Sequence, residues 1–308
     1  MSVASATPPD QQDGYVSPAR RAWRPYLLVM PALLLTIGIL YPFVQGVIYS
    51  FQNLKATRPD PEFIGLRNYQ RILTDDKFWH AAWVTAKFAI GATLVETLLG
   101  VGNALLLARN SKVSSFLERF LILPLMIAPI IATIMWRLMM QPSVGILNYM
   151  LKRVGLSDIA WTDTPTMAMA SVIMIDVWTY TPFVALLVLA GLRSLPRSPF
   201  EAAAVEGAGS WFTFRNLTLP MLAPYILVAV IFRFMDSLKV FDVIWGLTQG
   251  GPGDALLAIQ PMAYQQAISF SNFSLGQTYM VILWAIVYLT TRLLISVLGR
   301  AQARAAGV

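Results

Sequence analysis

The chain alternates long apolar stretches with shorter polar ones. A helix needs about 20 mostly apolar residues to cross a bilayer. Six stretches reach that length, and they predict transmembrane helices at about 25–50, 82–108, 117–139, 166–192, 222–245 and 277–299. The predicted fold class is therefore an all-α membrane protein with six transmembrane helices.

Two of these spans carry charged side chains, so we expect neither to face lipid all round. The second contains Lys87, Glu96 and Asn103, and the fifth contains a cluster of three charges (Arg233, Asp236 and Lys239). Ionisable side chains inside a membrane usually face the bundle interior or a water-filled cavity. If the fifth stretch were a surface element, the count would fall to five.

The ends of the chain differ from its middle. Residues 1–24 are polar, rich in Pro, Ser and Asp, and lack apolar periodicity, which predicts a disordered cytoplasmic tail. The first apolar stretch is too long for a signal-peptide core and should remain as an anchor. A membrane domain is expected over 25–300 and a short cytoplasmic tail over 301–308.

Composition agrees with the membrane class. The chain is 56% hydrophobic and only 13% charged, with a mean hydropathy of +0.60. A net charge of +7 would suggest nucleic acid for a soluble protein. Beside membrane helices, positive charge usually sets topology, so lipid is the expected surrounding and no nucleic-acid partner is predicted.

Several chemistries are excluded by residue type. The sequence has no cysteine and one histidine, His80, which we predict to be an ordinary surface or interface residue in a loop. Disulfides, thiol catalysis and Cys- or His-based metal sites are therefore excluded. No catalytic residue, metal or cofactor is predicted for the chain itself.

Orientation follows from the Lys and Arg residues in the loops. With the amino terminus in the cytoplasm, the cytoplasmic side carries eleven of them against eight outside, where seven acidic residues also lie. We therefore predict a multi-pass protein with both termini in the cytoplasm. The eleven are Arg20, Arg21, Arg24, Arg109, Lys112, Arg119, Arg193, Arg197, Arg215, Arg300 and Arg304.

Two polar stripes indicate where a solute would pass. They follow helical spacing of i, i+3, i+4 and i+7, so each covers one helix face. The stripes are Asp176, Thr179, Tyr180 and Phe183 on the fourth span, and Arg233, Asp236, Ser237 and Val240 on the fifth. A third polar face, with Glu96 and Asn103 on the second span, fits either a pore or helix packing.

The loop at 193–222 is the most informative stretch. Ser198 and Glu201 match a capping box, Pro199 suits a first helical position, and an Ala-rich run follows. Gly207 and Gly209 interrupt the helix, and Ser210 is suited to cap a second short helix that ends before Leu219-Pro220. The pattern predicts a helix–turn–helix at the cytoplasmic surface, resting either on lipid or on a partner.

The order of residues in this loop resembles the EAA loop of binding-protein-dependent ABC importer permeases. The matching residues are Glu201, Ala202, Ala203, Gly207, Ala208, Leu219 and Pro220. Residues 63–69 (FIGLRNY) and 247–252 (LTQGGP) are similar to segments of the sugar-importer branch, of the maltose/glycerol-phosphate type. The resemblance implies a type I importer permease fold in the bacterial inner membrane, with the loop as a coupling helix.

That resemblance also implies partners. These are a second, homologous permease, a dimer of ATP-binding subunits, and an extracytoplasmic binding protein that delivers a carbohydrate-class solute. Glu201 would pair with a basic residue of the ATPase. The chain has no Walker A sequence, so ATP and Mg²⁺ are expected on the partner and no enzyme activity on this chain.

The family's solute contacts fall on the two polar stripes, with residue types that differ from the maltose pattern. Arg233 would suit an anionic sugar derivative, but a neutral sugar, polyol or glycerol conjugate fits equally, and Arg233 with Asp236 can also be a structural ion pair. A stand-alone carrier or channel is the alternative function, although it gives the 193–222 loop no role. A membrane enzyme or signalling protein lacks a catalytic constellation.

Overall fold

A computed structural model describes residues 18–55, 57, 60–108 and 112–305, with side chains between 26 and 300. Within these ranges the chain is helical, apart from connecting turns and an isolated β-bridge between Gln52 and Phe63. Thirteen α-helices follow in order: α1 Pro18–Ser50, α2 Arg67–Leu73, α3 Asp76–Leu107, α4 Lys112–Leu121, α5 Pro129–Met139, α6 Ile146–Arg153, α7 Pro165–Ser194, α8 Ser198–Val205, α9 Ser210–Thr213, α10 Leu219–Ser237, α11 Asp242–Thr248, α12 Ile259–Tyr264 and α13 Phe273–Ala305.

The chain divides into two units, residues 1–48 and 49–308. The first unit contains most of α1, whose stretch Tyr26–Ser50 is apolar and 25 residues long. At 1.5 Å per residue such a helix extends about 37 Å, enough to cross a bilayer. The second unit contains the remaining helices and every site described below.

Among the described residues, five helices are long and apolar enough to span a membrane, and a sixth span exists if one bent pair is counted together. The bent pair is the predicted third span, for which 117–139 had indicated one unbroken helix. Its two parts, 112–126 and 129–139, meet at 95°. Ala128 precedes Pro129 and is extended (ψ 133°), because the proline ring disfavours a helical residue before it.

The core of the second unit is built on α3 and α7. Small and apolar side chains of α3 are buried at intervals of three and four residues, including Ala81, Ala89, Ala92 and Ala104. Small residues let helix backbones approach closely in membranes. Gly100 shows how closely, since a Cβ added there would lie 2.5 Å from a methyl of Val184 on α7.

Several predicted boundaries were wrong. Helix α1 begins at Pro18, so residues 18–24 are helical rather than a disordered tail, while 1–17 lie outside the described residues. Proline is favoured in the first turn, and Ala and Arg extend a helix well. Helix α13 continues to Ala305, so residues 301–305 of the predicted tail are helical; the cytoplasmic location of the tail stays a prediction, and 306–308 are not described.

The second span also begins earlier than predicted. Asp75 caps α3 by accepting a hydrogen bond from the Lys77 amide (3.0 Å). As a result His80 is an exposed residue in the second turn of a helix, and the prediction of a loop there was wrong. Its placement at the surface was confirmed.

The fifth span departs from its predicted helix more than any other span does. The predicted helix at 222–245 ends at Ser237, and the chain turns before α11 begins at Asp242. The turn buries Val240 and Val243 in the core while Lys239 remains exposed. Val240 therefore lies outside the helical stripe to which the spacing assigned it.

Candidate functional site

Arg233 is the centre of a charged cluster buried within the second unit. Its guanidinium donates to Glu96 through two bonds, Nε to Oε2 at 2.7 Å and Nη2 to Oε1 at 3.0 Å. It also donates to Asp176 Oδ2 and Asp236 Oδ2, each at 2.8 Å, and to the Ser237 hydroxyl at 3.2 Å. One cation thus holds carboxylates from three helices.

The hydrogen-bond partners of Arg233 come from α3, α7 and α10, and each lies on the face of its helix that is turned toward Arg233. Glu96 lies on the buried stripe of α3, and Asp176 lies on the buried face of α7. Asp236 and Ser237 follow Arg233 by three and four residues on α10, one helical turn away. Burying an unpaired charge is costly, so the bonds that surround Arg233 are what allow it to be buried.

The cluster is closed on one side and open on the other. The side chains of Arg233, Glu96 and Asp176 are at most 6% exposed, whereas Asp236 is 49% exposed and lies 3.6 Å from Lys239 Nζ. Three formal negative charges therefore meet two positive ones. The accessible carboxylate, that of Asp236, is on the open side together with the Lys239 ammonium.

A small cavity of about 80 Å³ lies on that open side. Tyr180 is part of its wall, and the Arg233 guanidinium carbon lies 3.8 Å from the centre of the Tyr180 ring. A cation over an aromatic face is attracted by the ring quadrupole. The contact fixes the ring at the edge of the charged cluster.

Six of the predicted pathway residues line this cavity. Glu96 does not line it but binds Arg233 from the buried side of the cluster. The six that line the cavity are Asp176, Tyr180, Arg233, Asp236, Ser237 and Val240. Three others are not among its lining residues. Thr179 donates to the Ile175 carbonyl (2.9 Å), Phe183 packs against Phe232 (ring centres 6.3 Å apart), and Asn103 is half-buried further along α3.

The sequence reasoning missed Phe241 and Asp242, which also line the cavity. Both follow the break in the fifth span, and the assumption of one continuous helix placed them elsewhere on its surface. Phe241 has an unusual backbone (φ −133°, ψ −61°) and directly precedes α11. No local sequence signal such as Gly or Pro marks this break.

The second candidate site is the loop at 193–222. Helix α8 covers the Ala-rich run and ends in a turn at Gly207, whose φ is +73°. The Gly207 amide donates to the Ala204 carbonyl, and the Ala208 amide donates to the Ala203 carbonyl (2.9 Å). These two bonds are a Schellman motif, which requires a left-handed residue at the position of Gly207.

The predicted turn at Gly207 was therefore confirmed, but two details of the loop were wrong. Ser198 makes no capping bond, because the Arg197 carbonyl accepts the first helical amides and Ser198 is already helical. The second helix does not end before Leu219-Pro220. From Ser210 the chain runs through α9 and a π-helical turn at Phe214–Thr218 into α10, as one 28-residue helix.

The coupling residues predicted from the loop are mostly exposed. Glu201 and Ala202 are exposed on α8, Ala203 faces inward and Ala208 is half-buried. A cavity of about 730 Å³ opens beside them, with Arg193, Arg197 and Glu201 in its wall. Leu219 and Pro220 form the first turn of α10.

An ion pair joins the loop's beginning to α4. Arg193, next to the last residue of α7, donates to both carboxylate oxygens of Glu118 at 3.2 and 2.9 Å. Bidentate geometry gives this pair directional specificity. It holds the end of α7 against α4, one residue before the chain leaves for α8.

Long apolar helices, a buried charged cluster opening to a cavity, and an exposed helix–glycine–helix loop define a multi-pass membrane protein of the transport class. The chain belongs to the binding-protein-dependent transport system inner membrane components, whose family model matches residues 96–307. It is an inner-membrane permease with the type I ABC importer fold.

Relatives and a solved structure agree with this assignment. The chain is 35% identical to the trehalose/maltose transport system permease MalF of Thermococcus litoralis, over 87% of this chain and 91% of the relative. It is 33% identical to the sulfoquinovosyl glycerol permease SmoG of Agrobacterium fabrum, over 84% and 85%. The fold is similar to a bacterial alginate ABC transporter solved with its oligosaccharide-bound periplasmic protein, with TM-score 0.78 and 20% identity over 89% and 93%.

Proposed function

We propose that this chain is one of two permease subunits of an ATP-driven importer that takes up a carbohydrate delivered by an extracytoplasmic binding protein. The observation that carries the proposal is the presence, in one chain, of a cavity-lining polar cluster and an exposed α8 that ends in the Gly207 turn. The relatives described above are named for trehalose, maltose and a sugar glycerol conjugate, which supports the solute class.

The charges around Arg233 support a neutral, polyhydroxylated solute. Its guanidinium already donates to three carboxylates, so few donors remain for an anionic group. The accessible groups are the carboxylate of Asp236, the ammonium of Lys239 and the ring of Tyr180. Sugar hydroxyls both donate and accept hydrogen bonds, so they suit a mixed set of charged and aromatic groups.

The α8 loop is proposed as the contact with the ATP-binding subunits, which hold ATP and Mg²⁺. Glu201 and Ala202 are exposed on α8, and neighbouring Val205 is 89% exposed. An exposed valine beside a carboxylate provides an apolar contact and a charged partner for a basic residue. A closing movement of the ATPase dimer would then be transmitted through the α9–α10 helix to Arg233 and Asp236.

A homologous second permease is proposed to complete the solute passage. The cavity of about 80 Å³ is too small for a sugar ring and opens on one side, as expected for one wall of a shared channel. The proposed topology places both termini and the 193–222 loop in the cytoplasm. Because the chain has no cysteine, single cysteines introduced at exposed positions would report sidedness by labelling with impermeant reagents.

Copurification and uptake test this proposal together. The expected result is that the chain, co-expressed with the proposed second permease, ATP-binding subunits and binding protein, brings down an ATP-binding subunit and supports ATP-dependent uptake of trehalose or maltose. Glu201→Lys should abolish ATPase capture, since it reverses the charge offered to the partner. Uptake that follows an ion gradient without any ATPase would overturn the proposal in favour of a stand-alone carrier.

A further inference from the structure

A third cavity, of about 280 Å³, lies beside the charged cluster and contains none of its charged residues. It lies between α12, the π-helical turn at Gln265–Ser269 and the first turns of α13. Its volume is close to the low end of the roughly 300–1,000 Å³ typical of small-molecule sites. The lining residues are Phe241, Gln260, Ala263, Tyr264, Ala267, Ile268, Gly276, Gln277 and Met280.

Two aromatic side chains, Phe241 and Tyr264, line this cavity, and Trp245 packs against both of them without lining it. Phe241 and Trp245 are stacked, with ring centres 5.8 Å apart and planes at 13°. Tyr264 packs against both, at 5.1 Å from Phe241 and 5.0 Å from Trp245. The opposite face of α11 packs in the core through Val243, Ile244 and Leu247, which supports the aromatic wall of the cavity from the other side of the helix.

The cavity also contains two amide side chains, those of Gln260 and Gln277. The Oε1 atom of Gln260 is buried and has no partner within the described residues. Neither Gln260 nor Gln277 makes a side-chain hydrogen bond in the described part of the chain. Because an unsatisfied buried oxygen costs free energy, a ligand hydroxyl that donates to Gln260 would recover that cost.

The backbone around the cavity is specialised. The turn at Gln265–Ser269 is π-helical, a widened geometry that is found often at functional sites. Gly276 allows α13 to approach α12 and the π-helical turn closely, since a Cβ at this position would lie 2.6 Å from the Ala267 Cβ and 2.9 Å from the Ala263 carbonyl oxygen. These two features set the width of the cavity.

We propose that this cavity is a second carbohydrate subsite, which accepts one sugar ring of the solute next to the charged cluster. Phe241 lines both cavities, so the two subsites are neighbours along one path. Aromatic rings pack against the apolar C–H face of a sugar, and amides bond its hydroxyls. Within the described part of the chain, the side chains that line the cavity are uncharged, which suits a neutral ring. The inference rests on the proposed function.

Opposite effects of Gln260→Leu on stability and on binding provide the sharpest test. Leucine removes the buried, unpartnered oxygen, so the thermal midpoint of the purified transporter should stay equal or rise. Binding of trehalose and maltose to the assembled transporter in lipid nanodiscs, measured by saturation-transfer NMR, should weaken about three- to tenfold, as expected for one lost hydrogen bond. A purely structural glutamine would not move sugar binding.

Tyr264→Ala and Tyr264→Phe complete the series. The first removes the ring and should weaken sugar binding about three- to tenfold, whereas the second keeps the ring and should bind like the unaltered protein. Tyr288→Ala, at a 54% exposed tyrosine of α13 outside the cavity, is the matched control and should have no effect.

Different results would contradict the proposed subsite and the proposed importer function. Absence of sugar binding and uptake in the unaltered transporter would overturn the proposed function itself. Normal uptake with equal sugar affinities in Gln260→Leu, Tyr264→Ala and Tyr288→Ala would overturn the subsite alone. Loss of the second permease from the Tyr264→Ala complex, with the control intact, would make this cavity a subunit interface and also overturn the subsite.

Discussion

Glu96 and Arg233, separated by 137 positions in the sequence, form a bidentate ion pair in which neither side chain is more than 3% exposed. The pair joins α3 to α10 inside the bundle. A bidentate bond fixes the orientation of both groups. The Glu96 carboxylate therefore determines where Arg233 presents its remaining donors to Asp176 and Asp236.

Removing the Glu96 charge should destabilise the fold. Glu96→Gln leaves Arg233 with one fewer compensating carboxylate in a buried position, and breaking such a pair costs about 3–5 kcal/mol. The remaining bonds to Asp176 and Asp236 place the expected loss near the low end, about 3 kcal/mol. Thermal unfolding in detergent measures this loss of stability.

The matched control is Glu118→Gln, in the more exposed pair with Arg193, which should cost at most about 1 kcal/mol. Equal losses would contradict the importance of burial.

Arg233→Lys should not behave as a conservative substitution. A lysine ammonium keeps the charge but cannot form the planar, two-pronged bond to Glu96 while also reaching Asp176 and Asp236. We expect a loss of about 2 kcal/mol in stability, the value of one charged hydrogen bond, together with reduced uptake. A Lys variant with unaltered unfolding midpoint and uptake would show that charge alone suffices.

The Gly207 turn should tolerate asparagine better than valine. Open space surrounds this position, so the restriction is the left-handed backbone, which costs an L-residue about 1–2 kcal/mol. Gly207→Val should therefore distort the end of α8 and reduce ATPase capture, while Gly207→Asn retains more of it. Gly209→Ala is the control, since Gly209 has φ −68° and equally open surroundings. Copurification with the ATP-binding subunit measures all three.

Two glycines of α3 should respond in opposite directions. Gly100→Ala forces a Cβ into Val184, and overpacking of this kind costs about 1–3 kcal/mol. Gly102 has open space around it, so Gly102→Ala should stabilise the helix by up to about 1 kcal/mol. The thermal unfolding midpoints of the two variants, each compared with that of the unaltered protein, test this prediction. A stabilising Gly100→Ala would contradict the close contact between α3 and α7.

Much of this architecture follows from sequence, for identifiable reasons. Hydropathy locates spans because each must match the thickness of the bilayer. The Gly207 turn is predictable because a left-handed helix end favours glycine. The charged residues of the site were also recognisable, since charges such as Arg233 and Asp176 are rare in apolar spans.

The pairing of those charges was not predictable from one sequence. Glu96 and Asn103 share a helix face, yet only Glu96 reaches the cluster, because which part of α3 faces α10 depends on tertiary packing. The end of α10 at Ser237 was missed for the same reason. Burial of Val240 and Val243 in the core favours the turn there, and helical periodicity continued through it without a break.

The charged cluster also imposes an order on biosynthesis. A chain is made from its amino terminus, so Glu96 and Asp176 leave the ribosome before Arg233 does. Until α10 leaves the ribosome, the carboxyl groups of Glu96 and Asp176 lack the Arg233 guanidinium that later binds both of them. The arrival of Arg233 then joins α10 to both α3 and α7 through these carboxylates, and a chain that stops before residue 219 lacks this link.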